Sequence, residues 1–96
     1  MFNFERNISK KMLKTIIVDD EKRVRGILRQ FLERYAIQTT VVGEAAGVEE
    51  AFSLINQKNP DQVLLDIEMA DGTGFDLLKR FESPDFIVIF VTAHDQ

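Results

Sequence analysis

Hydrophobic residues follow two patterns along the chain: short continuous runs and longer stretches with helical spacing. The continuous runs cover residues 16–18, 63–65 and 86–91 and are rich in β-branched side chains. Such runs are typical of strands buried on both faces of a sheet, and residues 86–91 are predicted to be the clearest of them. Residues 39–42 are more polar, which favours a strand at or near a sheet edge.

Between these runs, apolar residues recur at the i, i+3, i+4, i+7 spacing of amphipathic helices. A loop with Gly72 and Gly74 precedes the third helix. Asn59-Pro60 is expected to end the second helix, and Ser83-Pro84 the third. The expected apolar faces are Val24, Ile27, Leu28, Phe31, Leu32 and Tyr35 in the first helix, Val48, Ala51, Phe52 and Ile55 in the second, and Phe75, Leu78 and Phe81 in the third.

The predicted order of elements is therefore β-α-β-α-β-α-β. This alternation, with strands that are apolar throughout, indicates a parallel sheet covered by helices on both faces. Because crossover connections are right-handed, a doubly wound α/β sheet is the leading topology. Ligands of such sheets bind at the carboxyl ends of the strands, so the residues that follow each strand are the candidates for function.

Length and composition limit the classes of protein that fit. The chain has 96 residues, 45% of them hydrophobic, which suits one domain with its own core. A formal net charge of -4 argues against a surface that clamps a nucleic acid backbone. The absence of cysteine excludes disulfide bonds and thiolate metal sites, and no apolar run is long enough to cross a bilayer. Residues 1–11 lack the features of a secretory signal and are expected to be an extension of a domain that spans residues 12–96.

Oxygen-bearing side chains stand where the predicted strands end. Asp19 and Asp20 follow the first strand, Asp66 follows the third and Thr92 follows the fourth. We expect the three carboxylates to converge at one edge of the sheet, with Asp20 already in the turn. Hard oxygen ligands with room for water suit Mg²⁺, which offsets the repulsion between the acids and can bridge to a phosphoryl oxygen. No P-loop or dinucleotide glycine fingerprint is present, so a nucleotide is not the expected ligand.

Each of these residues also has a purely structural interpretation. Asp20 can cap the first helix, Asp66 can cap the loop that follows its strand, and Thr92 can be an ordinary strand threonine. His94 has no partner in view and is expected to face solvent. The functional interpretation is favoured because three acids lie at the same end of two strands that the topology makes neighbours.

Four sequence motifs, "IIVDDE", "LLDIEM", "DGTGFDLL" and "IVIFVTAH", resemble those of the receiver domain of bacterial response regulators, the switches of two-component signalling. The stretch "VVGEAAGVEEAFSLINQKNPDQVLLDIEM" and the ending "VTAHDQ" are most similar to the LytTR (LytR/AlgR) branch of that family. The resemblance covers residues 13–96. It implies a flavodoxin-like doubly wound fold, a cytoplasmic location and a signalling module rather than an enzyme.

The resemblance also implies a role for each site residue. Asp66 is expected to be the phosphoacceptor, which takes a phosphoryl group from a phosphohistidine of a sensor histidine kinase. Asp19 and Asp20 are expected to hold Mg²⁺ together with Asp66, and Glu68 to contribute its backbone carbonyl. Thr92 is expected to be the switch hydroxyl that turns toward the phosphoryl group. The output is expected to be transcriptional, with DNA bound only through an output domain that lies outside this chain.

Two departures from the family pattern carry consequences. Family members usually have proline after the "DIEM" motif, where this chain has Ala70, so we expect a slightly looser loop. The chain also stops shortly after its fourth strand, so the domain is expected to be incomplete, without the usual last helices, fifth strand, closing lysine and aromatic switch residue. Without that lysine, we expect the chain to bind Mg²⁺ but to accept phosphate poorly or not at all.

An open fourth strand would leave an apolar edge, so we expect a homo-oligomer whose partner covers it. Two hypotheses therefore stand beside each other: a phosphorylation-dependent receiver, and a phosphorylation-independent interaction or oligomerisation module with the same fold. A third, an acid-cluster hydrolase with Glu68 as proton donor, is the weakest.

Overall fold

The computed structural model describes residues 12–91, which form a parallel sheet flanked by three helices. The strands of the sheet are β1 (Leu13–Val18), β2 (Thr39–Ala45), β3 (Gln62–Asp66) and β4 (Ile87–Val91), in the order β2-β1-β3-β4 and all parallel. The helices are α1 (Lys22–Tyr35), α2 (Val48–Lys58) and α3 (Gly74–Lys79). A short antiparallel ribbon, Glu68–Met69 with Gly72–Thr73, lies between β3 and α3. The predicted α/β fold with a parallel sheet is confirmed.

Side chains of the central strands alternate between two apolar layers because successive strand residues point to opposite faces. Ile16 and Leu65 belong to the larger layer, which α2 and α3 cover, whereas Ile17 and Leu64 belong to the smaller layer beneath α1. Helices thus lie on both faces of the sheet, as the doubly wound topology requires. The polar strand β2 lies at one edge, as predicted, although it extends beyond residues 39–42 to Ala45.

The prediction from the apolar run that residues 86–91 are the clearest buried strand was wrong, whereas the expectation that this strand lies at an open edge agrees with the described sheet. β4 contributes Ile87, Ile89 and Phe90 with 57%, 44% and 40% of their surfaces exposed. These side chains are exposed because of the position of β4 in the sheet rather than because of its amino-acid composition. β4 lies at the edge of the sheet opposite β2, and within residues 12–91 it pairs only with β3.

Two helical faces also differ from the prediction. On α1 only Leu32 is buried, whereas Ile27, Phe31 and Tyr35 are exposed. The apolar stripe of α1 is thus wider than the surface that the described sheet covers. On α3 the fully buried residue is Leu77, which the predicted face did not include.

The residues that follow α2 determine where this helix ends. Asn59 adopts the left-handed conformation (φ 48°) at the end of α2, and its N–H donates to the carbonyl of Ile55, so Pro60 follows a helix that has already stopped.

Within residues 12–91, no helix has both the length and the apolar character that a membrane span requires.

Candidate functional site

The carboxylates of Asp19, Asp20 and Asp66 meet at the carboxyl edge of the sheet. β1 and β3 are neighbours, with Val18 paired to Leu65, so the residues that follow each strand emerge side by side. One carboxylate oxygen from each of the three aspartates lies within 4.8 Å of the others. Asp19 is buried, Asp66 is half-buried and Asp20 is exposed, so the cluster opens to solvent on one side.

Asp19 is held through both its backbone and its side chain. Its N–H donates to the carbonyl of Ala45 at 3.0 Å, and its Oδ1 accepts the N–H of Glu21 at 2.9 Å. Glu21 is the N-cap residue of α1 and makes no side-chain cap bond. The alternative in which Asp20 caps α1 is therefore not what the structure shows.

The surroundings of Asp66 disfavour its charged form. Burial raises the pKa of the Asp66 carboxyl above its usual range, and the charge of Asp19 raises it further, as does that of Asp20. Hydrogen bonds from the backbone N–H groups of Glu68 and Ile67 lower this pKa and partly offset the rise. Asp66 therefore caps the loop after its strand and also belongs to the acid cluster.

The ribbon and α3 approach Asp66 closely because Gly74 has no side chain. The N–H of Gly74 donates to the carbonyl of Ile67 at 2.8 Å. A Cβ added at Gly74 would lie 2.7 Å from the backbone oxygen of Asp66 and 3.0 Å from Cγ of Leu65. The beginning of α3 therefore packs directly against the strand end that carries the central carboxylate.

Asp71, at the turn of the ribbon, caps a helix that begins 23 residues earlier in the chain. Its Oδ1 accepts the N–H of Val48 at 2.7 Å and its Oδ2 accepts that of Glu49 at 3.1 Å. These bonds lower the pKa of Asp71 below its usual range. Gly47, the N-cap residue of α2, leaves the space, since a Cβ there would lie 2.7 Å from Oδ1 of Asp71. The ribbon that carries Ala70 is thus tied to α2.

Arg25 and Glu44 also reach the acidic edge, and sequence reasoning did not identify either residue. Arg25 donates from Nη1 to the carbonyl oxygen of Asp19 at 2.7 Å and from Nε to Oε1 of Glu44 at 3.1 Å. Arg29 donates to the other carboxylate oxygen of Glu44 at 2.6 Å. The sequence does show an acidic residue, Glu44, on a polar edge strand. It does not show that Glu44 pairs with Arg25 and Arg29, because that contact depends on the orientation of α1.

The remaining predicted site residues are placed less completely. Glu68 is the first residue of the ribbon, directly beyond Ile67 and therefore close to the cluster. Thr92 and His94 lie outside the described residues, which end at Val91, the last residue of β4. Val91 pairs with Asp66 in the sheet.

The donor set fits Mg²⁺ by its chemistry. All three donors are carboxylates, the hard oxygen ligands that Mg²⁺ prefers, and the open side leaves room for the water molecules that this ion retains. The mutual repulsion that raises the pKa of Asp66 is the interaction that a bound cation would offset.

Comparison with known proteins identifies the family. The model of the response regulator receiver domain matches residues 15–96. The sensory transduction protein LytT of Bacillus cereus is 43% identical over 88 residues, which cover 88% of this chain and 35% of that protein. The sensory transduction protein LytR of Staphylococcus haemolyticus is 38% identical over 86 residues, which cover 86% of this chain and 33% of that protein.

A solved structure agrees with these relatives. The response regulator domain of Thermotoga maritima CheB superimposes with a TM-score of 0.78 at 27% identity, covering 86% of this chain and 62% of that one. The chain spans about a third of the length of the curated relatives that it matches. It belongs to the response regulator receiver domain family of two-component signalling and is most similar there to regulators of the LytT and LytR type.

Proposed function

We propose that this domain is a phosphoacceptor, in which Asp66 receives a phosphoryl group from a phosphohistidine of a sensor histidine kinase. Receiver domains of response regulators act with such kinases. The observation that carries the proposal is the meeting of three carboxylates within 4.8 Å at the carboxyl edge of the sheet, in a chain of this family.

The proposed transfer is a displacement at phosphorus. A carboxylate oxygen of Asp66 attacks the phosphorus atom, the bond between phosphorus and the histidine nitrogen breaks, and that nitrogen keeps the electron pair. The product is an acyl phosphate on Asp66. The N–H groups of Glu68 and Ile67, which bond to the carboxylate, orient it for the attack and favour its ionised form.

Asp19, Asp20 and Asp66 would hold Mg²⁺, with the backbone carbonyl of Glu68 as a further ligand. Receiver domains generally bind this ion at an acidic pocket. When bound, the ion offsets negative charge on the carboxylates and on the transferring group. Asp19 is restrained for this role, because its N–H, its carbonyl and one carboxylate oxygen all take part in hydrogen bonds.

The new charge on Asp66 would change the arrangement of the residue that follows β4. A phosphoryl group adds roughly one and a half to two negative charges and strong acceptor oxygens. We propose that Thr92 supplies the hydroxyl that turns toward this group, and that the change alters a transcriptional output in the cytoplasm. DNA would be bound by an output domain outside this chain.

Mass spectrometry of the chain treated with excess acetyl phosphate and Mg²⁺ tests the proposal. We expect a slow, partial gain of one phosphoryl group that requires Mg²⁺ and is lost in Asp66→Asn. Slow addition is expected because the side-chain charges that act on Asp66 within residues 12–91 are those of Asp19 and Asp20, both negative. The charge-matched control is Asp85→Asn, on the exposed loop before β4.

An undiminished gain of mass in Asp66→Asn would refute Asp66 as the acceptor. Rapid stoichiometric addition that disappears in Asp66→Asn would uphold the acceptor and show that the charges of Asp19 and Asp20 slow the transfer less than we expect.

The exposed apolar side chains of β4 favour a second candidate function, an interaction module that works without phosphorylation. Ile87, Ile89 and Phe90 present an apolar surface at a sheet edge, which is a common way for chains to associate. We propose that a second copy of the chain covers this edge. The two functions are compatible, since the acid cluster and the β4 edge use different residues.

A further inference from the structure

Arg25 reaches the acid cluster through a backbone atom. It lies in the first turn of α1, and its side chain is only 15% exposed. Its Nη1 donates to the carbonyl oxygen of Asp19 at 2.7 Å, a short charge-assisted hydrogen bond. The backbone of Asp19 is also held by β2, because the N–H of Asp19 donates to the carbonyl of Ala45.

Glu44 fixes the guanidinium of Arg25 in this position. One carboxylate oxygen of Glu44 accepts from Nε of Arg25 at 3.1 Å, and the other accepts from Nε of Arg29 at 2.6 Å. The hydrogen bond from Arg29, and then that from Arg25, holds the pKa of Glu44 below its usual range despite the opposing effect of burial. Glu44 is therefore ionised at neutral pH and pairs with the charge of Arg25.

We propose that Arg25 is a positioning residue for the cation site. It fixes the peptide between Asp19 and Asp20, from which two of the three carboxylates project. Glu44 keeps the guanidinium directed at the Asp19 carbonyl, so that its positive charge does not compete with a cation for the carboxylates. This inference rests on the proposed function, in which those carboxylates hold Mg²⁺.

The geometry matters because Mg²⁺ demands near-ideal octahedral ligands at short distances. Asp20 is exposed, so its carboxylate has little packing to orient it, and the turn that carries it must supply that order. Groups that orient metal ligands typically change metal affinity by about 10–100-fold when they are removed. Arg25 and Glu44 are such groups here.

Calorimetric titration of the full chain with Mg²⁺ tests the inference, and Arg29 provides the matched control. Both arginines lie on α1 and pair with Glu44, but Arg25 alone of the two bonds to Asp19 within the described hydrogen bonds. We expect Arg25→Ala to weaken Mg²⁺ binding by about tenfold and Arg29→Ala to change it by less than about twofold. Arg25→Lys keeps the charge but lacks the planar fork that bonds two partners, so it should also weaken binding. It serves as the second variant if Arg25→Ala fails to fold.

Amide hydrogen exchange without Mg²⁺ supplies a readout that a purely stabilising role would not change. We expect faster exchange at Glu21, whose N–H donates to Asp19, in the Arg25 variants, with exchange at Val63 in the central strand unchanged. An equal loss of Mg²⁺ affinity in Arg25→Ala and Arg29→Ala, or undiminished affinity in the Arg25 variants, would overturn the inference alone. A lack of Mg²⁺ binding by the unsubstituted chain would overturn the proposed function and this inference together.

Discussion

Asp66 is destabilised as an anion by its position, and this gives the domain a pH dependence with a definite sign. Because burial and the charges of Asp19 and Asp20 raise the folded-state pKa of Asp66, folding favours its protonated form. The resulting stability is fully present below the unfolded-state pKa of an aspartate and is lost as the pH rises through the raised value. A cation bound at the cluster would remove this penalty at neutral pH.

Gly74 allows the close contact between α3 and the end of β3, and its substitution should be costly. In Gly74→Ala the added Cβ would overlap the backbone oxygen of Asp66, so we expect the free energy of unfolding to fall by about 1–3 kcal/mol. Urea denaturation measures this change. Gly26→Ala is the control, because a Cβ at this exposed helical position meets nothing within 4 Å and should stabilise the chain by about 0.5–1 kcal/mol. Equal effects at the two glycines would contradict the close packing at Gly74.

The three aspartates could be identified from the sequence because their position depends only on where strands end and which strands are neighbours. Arg25 and Glu44 could not, because their contact depends on the rotation of α1 over β2. Gly74 was recognised only as a loop breaker. Its actual role, close approach to Asp66, requires knowledge of the packing of α3.

Among the structural elements, the ribbon after β3 depends on Asp71 for its attachment to α2. We expect Asp71→Ala to speed amide hydrogen exchange at Val48 and Glu49, since both N–H groups lose their acceptor. Because the pKa of Asp71 is lowered in the folded state, its contribution to stability is present above the unfolded-state value and is lost as the pH falls through the lower one.

Asp76→Ala is the matched control for the Asp71 variant. Asp76 forms a capping box with Thr73 at the beginning of α3 and makes the same kind of side-chain to N–H bond. We expect this variant to speed exchange at Thr73 while leaving Val48 and Glu49 unchanged. Faster exchange at Val48 in both variants would show that the loss is general rather than specific to the Asp71 cap.

Three of the strands were predictable as elements because continuous apolar runs rich in β-branched residues identify strands, although the run in β4 does not make that strand buried. The helices were predicted as elements, and the face of α2 was predicted correctly, since Val48, Ala51 and Ile55 are buried, but the buried faces of α1 and α3 were not. On α3 the predicted face included Phe75, which is exposed, and omitted Leu77, which is fully buried. A helix of so few turns has an apolar pattern too short to fix its rotation. The ribbon of residues 68–73 lacks any alternating pattern, and the sequence indicated only a loop there.

In the whole molecule, the β4 edge is expected to associate with a second copy. Light scattering over a range of concentrations should show the mass rising toward that of a dimer, and Ile89→Lys should suppress the rise. Ile37→Lys is the control, because Ile37 is also exposed but lies in the turn between α1 and β2. A folded monomer at every concentration, or equal effects of the two substitutions, would refute association through β4.

The doubly wound topology, with β1 and β3 as neighbours, followed from the sequence because alternating elements and right-handed crossovers leave few arrangements. The exposure of β4 did not follow from its apolar run, since such a run has the same sequence whether its strand is central or at an edge. Its exposed residues show that neighbours, rather than composition, decide burial.

The most direct test of the acid cluster is the pKa of Asp66, measured by ¹³C NMR of its carboxyl carbon with and without saturating Mg²⁺. We expect a value above the usual aspartate range without the ion and a clear fall when Mg²⁺ is added, with Asp85→Asn leaving both values unchanged. An Asp66 pKa that does not respond to Mg²⁺ would contradict a cation site shared by the carboxylates of Asp19, Asp20 and Asp66.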